Sequence, residues 1–133
     1  MEKVKTIAVN AAIIALVSII LIWGCTLYRQ HVQFNKGEQG FAAGDFLVAV
    51  SGYESSLHMY TPLSSLTERS ARRLWELGEI AAQRGDLQRA LIAYRSLRSS
   101  FYAVAGIYSP GEDWIRRCDA RIAQVLKLQQ GGR

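Results

Sequence analysis

The rhythm of apolar and polar positions changes near residue 28. From Ile7 to Ile22 there is no charged residue, and the apolar character continues through Trp23 to Tyr28. At a rise of about 1.5 Å per residue, about 20 such residues cover a hydrocarbon core of about 30 Å. Each Ile, Leu or Val favours insertion by about 0.3–0.6 kcal/mol, which a single Asn10 near one end does not cancel. This predicts one transmembrane helix within residues 7–28, with Trp23 and Tyr28 in the aromatic belt. No Pro, Gly-rich or Ser-rich linker separates Tyr28 from Gly37, so the helix is expected to run unbroken to about Ala43.

Beyond it, apolar residues recur at helical spacing. Phe46, Ala49, Val50, Tyr53 and Leu57 form one stripe; Leu74, Leu77, Ile80 and Ala81 form a second, with Trp75 beside them. Leu87, Ala90, Leu91, Tyr94 and Leu97 form a third, followed by an apolar tail of Phe101, Tyr102, Val104 and Ile107. Trp114, Ile115, Cys118, Ile122, Val125 and Leu126 form the last, which places Cys118 in a core. Gly44-Asp45 and Gly85-Asp86 each read as a left-handed helix end followed by an aspartate N-cap. The Thr61-Pro62 step is expected to stop one helix. Ser65-x-x-Glu68 and Ser109-x-x-Glu112, the latter with Pro110 in the first turn, read as capping boxes. The Gly131-Gly132-Arg133 tail is expected to fray. The expected fold class is therefore all-α.

Two of these stretches are copies of each other. Gly37, Glu38, Gly44, Asp45, Ala49 and Tyr53 recur 41 residues later as Gly78, Glu79, Gly85, Asp86, Ala90 and Tyr94. A fixed period carrying the same small, acidic and aromatic residues marks a helical repeat array. Each copy is expected to be a hairpin of two helices, with Gly78 and Ala90 leaving no bulk between the backbones. Gly37, Ala49, Tyr53, Gly78, Ala90 and Tyr94 are the predicted repeat-packing residues.

Leu74 to Tyr94, L-W-E-L-G-E-I-A-A-Q-R-G-D-L-Q-R-A-L-I-A-Y, resembles a tetratricopeptide repeat: Leu74, Leu77, Gly78, Ala90 and Tyr94 stand at its signature positions. The Gly37–Tyr53 copy is similar but degenerate, with Gln33, Lys36 and Gly40 where the second has Leu74, Leu77 and Ala81. The resemblance implies a short α-hairpin solenoid over residues 29–108, continuous with the membrane segment (1–28), and a capping helix in 109–133. It also implies recognition of protein segments in a groove lined by the first helix of each hairpin. The groove residues would be His31, Phe34, Glu38, Phe41, Arg72, Trp75, Glu79 and Gln83; the bland alternative is that Phe34, Phe41 and Trp75 are core. Glu38 and Glu79 stand where a carboxylate-clamp subtype needs asparagine, so chaperone tails are not the expected ligand.

Composition adds little chemistry. The net charge of +5 is mostly arginine, with acidic residues interleaved beyond residue 28, as on ordinary solvated helix faces. A patch for anionic lipid or nucleic acid, made by Arg69, Arg72, Arg73, Arg116, Arg117 and Arg121, is a weaker reading, and no nucleic acid is expected. His31 and His58 lack ligand neighbours at metal spacing. No nucleophile elbow, phosphate loop or paired-carboxylate site occurs. No enzyme, metal, cofactor or small-molecule substrate is expected. The expected role is a membrane-anchored docking or scaffold module whose protein partner lies within a membrane complex.

Lys3, Lys5 and the amino terminus against Arg29 and Lys36 slightly favour a cytoplasmic N-terminus and an extracytoplasmic, periplasmic C-terminal domain. Two alternatives stand beside this. Ile22-Trp23-Gly24-Cys25 resembles a lipobox, which would make a lipoprotein anchored at Cys25, although Trp23 and the long apolar run fit it poorly. A small-residue stripe of Ala8, Ala12 and Ala15, with Ala11 beside it, would suit a structural subunit assembled through its transmembrane helix.

Overall fold

The computed structural model describes residues 1–61, 64–105 and 111–131. Among these the chain is helical with no strand: α1 (Glu2–Ala43), α2 (Phe46–His58), α3 (Leu66–Gln83), α4 (Leu87–Val104) and α5 (Glu112–Gly131). The apolar segment and the first repeat helix share one rod of about 60 Å. It passes through Trp23-Gly24-Cys25 without interruption. Its apolar stretch is uncovered by protein and long enough to cross a bilayer, so it is compatible with a single-pass membrane helix.

Each hairpin turns in the same way. Gly44 and Gly85 adopt φ of 74° and 77°, a left-handed conformation that residues with a Cβ rarely take. Asp45 and Asp86 then accept hydrogen bonds from the amides of Val48 and Arg89. Antiparallel packing follows within each hairpin. Between hairpins, Arg73 of α3 reaches Glu38 of α1, and Ser96 of α4 reaches Glu54 of α2, so corresponding helices run side by side in the same direction. α5 closes the far face with Trp114, Cys118, Ile122 and Val125 buried, and Arg98 pairs with Asp119 at 2.9 Å. Burial pushes the Cys118 thiol up to about 12, so it stays protonated at neutral pH.

Several local expectations change. The Gly78 neighbour is the ring of Tyr94 rather than Ala90: a Cβ on Gly78 would stand 2.5 Å from Tyr94 Cε1. Gly37 faces the ring of Tyr53 in the same way, at 2.7 Å. The capping box at Ser65 does not form. Ser65 is already in the helical region and makes no capping hydrogen bond; the amide of Leu66 donates to Ser64 instead. Glu68 accepts from Trp114 Nε1 and pairs with Arg72. α2 ends at His58, ahead of Thr61. Ile80, Ile115 and Leu87 are only partly covered, and Tyr102 and Leu126 are exposed. The expectations at Pro62, at Ile107 to Pro110, and at Gly132 and Arg133 fall outside the described residues.

A polar knot joins α1, α2 and α3 at the end nearest the apolar helix. Gln30 is fully buried; its Nε2 donates to the Ser56 carbonyl and Thr67 Oγ1, and its Oε1 accepts from Ser64. Ser70 donates to Ser56 beside it. Both ends of the Gln30 amide are satisfied, as burial of such a group requires.

Candidate functional site

The inner face, where the predicted groove residues lie, is organised by a motif that occurs twice. Tyr53 Oη donates to Glu38 at 2.6 Å, and Tyr94 Oη donates to Glu79 at 2.7 Å. Each carboxylate also takes a two-point contact from an arginine of a later helix. Arg73 Nε and Nη2 reach Glu38 at 2.7 and 3.1 Å; Arg121 Nε and Nη2 reach Glu79 at 2.8 and 2.5 Å. The same tyrosines pack against the aromatic residue one turn before the repeat glycine, Phe34 at 5.6 Å and Trp75 at 5.2 Å between ring centres.

The electrostatics follow from that geometry. Burial pushes the Glu38 carboxyl up, but hydrogen bonds from Tyr53 and Arg73, and the nearby arginine charges, outweigh it and hold the carboxyl below the usual carboxylate range. Glu79 behaves alike with Tyr94 and Arg121. Burial raises both phenols, and the adjacent carboxylates raise them further. Two-point arginine–carboxylate contacts of this kind are geometrically specific as well as strong.

Several of the predicted groove residues are engaged within the chain. Phe34 is buried, with the Arg69 guanidinium 4.7 Å from its ring centre. Trp75 is half-buried between Tyr94 and Trp114. Glu38 and Glu79 are engaged within the chain. His31, Arg72 and Gln83 remain exposed. The arginine patch is likewise occupied, because Arg72, Arg73, Arg116 and Arg121 pair with carboxylates, and Arg117 lies over Trp114.

One open space lies at the turn end, between the two hairpins. A cleft of about 180 Å³ is floored by Phe41, Phe46, Leu77 and Ile80, with Arg84 and Arg89 among its lining residues. Of the eight predicted groove residues, only Phe41 lines it. Asp45 and Asp86 also border it, but both already accept from capping amides.

No protein-family model, curated protein or solved structure matches this chain. The geometry alone therefore bears on function. Among the described residues no group of His, Cys, Asp and Glu could hold a metal ion. The recurring Tyr–Glu–Arg contact escaped the sequence reading because its arginines do not keep the period. Arg73 follows Glu38 by 35 residues, whereas Arg121 follows Glu79 by 42. The Glu and Tyr pairs do keep it, and a buried phenol recurring beside a recurring acid was the available signal.

Proposed function

We propose that this chain is a single-pass membrane protein whose hairpins form a short tetratricopeptide-like solenoid and dock a protein partner, as an accessory subunit of a membrane complex. The uncovered apolar helix supports the anchor, since a helix apolar on all sides needs a non-aqueous environment. The cytoplasmic N-terminus and the periplasmic placement of the hairpins are proposed on the lysine bias alone.

The observation that carries the docking role is the cleft at the turn end. Small, mostly apolar hollows with few charged groups suit the insertion of one anchor side chain of a partner. Among the described residues Arg84 has no carboxylate partner, so an acidic residue beside the partner's anchor complements it.

Co-purification from native membranes in mild detergent tests this reading. Arg84→Glu combined with Ile80→Gln is expected to release the partner, whereas Leu replacements at Ala8, Ala12 and Ala15 are expected to keep it. The opposite pattern transfers the interaction to the membrane helix, whose alanine stripe lies uncovered, and overturns the docking role of the cleft.

A further inference from the structure

We propose that the end of the hairpin domain nearest the apolar helix is itself a lipid-contacting surface, seated in the headgroup region of a zwitterionic bilayer through Tyr60 and Tyr102. The inference rests on the membrane-spanning reading of α1 and adds to it where the rest of the molecule sits.

Tyr60 and Thr61 line a shared recess with Ile19, Ile22, Trp23 and Thr26 of α1. The chain leaving α2 thus returns beside the last apolar turns of the rod. If residues 7–22 lie in hydrocarbon, Trp23 and Thr26 fall in the interfacial layer, and Tyr60 falls there with them. No stalk lifts the domain away: Gln30, already locked to Ser56, Ser64 and Thr67, lies only about 10 Å along the helix from Trp23.

Tyr102 reaches the same level through the second hairpin. α4 runs beside α2 in the same direction, with Arg89 over Phe46 and Ser96 on Glu54. Continuing that register carries Tyr102 past the end of α2 at His58, to the same end of the domain as Tyr60. Both are exposed, Tyr102 at 58% and Tyr60 at 37%. A ring with a polar tip has its lowest free energy where apolar and hydrated layers meet. Charge at this end is mixed, with Arg29, Arg69, Arg72 and Arg116 beside Glu68, Glu112 and Asp113, and Arg72 and Arg116 are paired with Glu68 and Asp113. Aromatic burial, rather than attraction to anionic lipid, is therefore the driving interaction.

The test is nitroxide depth measurement on the full chain in phosphatidylcholine vesicles. Single labels are placed at Tyr60→Cys, Tyr102→Cys, Val17→Cys and Gln88→Cys in a Cys25→Ser background, with Cys118 buried. At positions 60 and 102, collision with a water-soluble nickel complex is expected to be several-fold lower than at 88, with oxygen collision raised. Added phosphatidylserine or salt is expected to leave this unchanged. Nickel exposure at 60 and 102 equal to that at 88 overturns the proposal. So does low collision with both reagents, which means cover by protein, or shielding only with anionic lipid at low salt. A water-exposed label at 17 overturns the spanning reading itself, whereas a lipid-shielded 17 beside exposed 60 and 102 overturns only this inference.

Discussion

The two hairpins follow one plan and solve different problems. In the first, Gly40 and Gly52 stand where the second has Ala81 and Ala93. A Cβ on Gly52 would strike the backbone nitrogen and Cα of Gly37, and one on Gly40 would stand 2.6 Å from the Ala49 nitrogen. α1 and α2 therefore meet backbone to backbone, whereas α3 and α4 keep methyl groups at the corresponding places. The faces differ too. Leu74 and Leu77 are buried beneath the preceding hairpin, but their counterparts Gln33 and Lys36 lie at the open edge, half-buried and exposed. Gln33 and Lys36 border a recess with Leu47, Val48 and Ser51, and among the described residues no further helix covers that edge. The lesson is that a repeat position has to be judged by its neighbour, not by its consensus.

The largest expected contrast comes from exchanging those outer positions. Leu74→Gln places an amide in a fully buried apolar site and is expected to cost about 3 kcal/mol or more. Gln33→Leu is expected to change stability by no more than about 0.5 kcal/mol. Urea unfolding of the full chain in detergent, followed by tryptophan fluorescence, measures both. Equal losses would mean that the two hairpins are covered alike.

Close backbone approach gives the next contrast. Gly52→Ala has to separate α1 from α2, at a cost of about 2–3 kcal/mol, while Ala93→Gly costs about 1 kcal/mol through helix propensity. An unchanged unfolding midpoint for Gly52→Ala would remove the backbone contact from the account.

The Tyr–Glu–Arg contacts should behave alike in both hairpins. Tyr53→Phe and Tyr94→Phe each delete a hydrogen bond to a charged acceptor that is partly exposed, for about 1 kcal/mol apiece. A double-mutant cycle of Tyr94→Phe with Arg121→Met is expected to show coupling through Glu79. Strict additivity would mean that the arginine acts elsewhere.

The smallest effect is on pH. Glu38 and Glu79 have folded pKa values held below the unfolded carboxylate value of about 4.3. Their contribution is present above that value and disappears as pH falls through the folded pKa. The wild-type unfolding midpoint should therefore drop on acidification below about pH 4, and Glu38→Gln with Glu79→Gln should flatten the drop. A drop of the same size in the double variant would assign acid sensitivity to other carboxylates.

Much of the helical layout was legible in the chain because it depends on local chemistry. A charge-free apolar run makes a long exposed helix, Gly-Asp steps make left-handed ends with aspartate caps, and helical spacing picks out Leu74, Ala90 and Leu97 as core. The contacts that close the inner face were not legible. Arg73 and Arg121 arrive at Glu38 and Glu79 from later helices at unequal separations, and Ser64 rather than Ser65 accepts the Leu66 amide while its hydroxyl donates to Gln30. Local sequence thus determined where helices begin, end and bury a stripe, since those choices are settled within a few residues of backbone. Only the tertiary structure decided which polar groups satisfy one another and where hollows are left between helices. A long flexible side chain has many reachable partners, and its choice is made only when distant helices come to rest side by side.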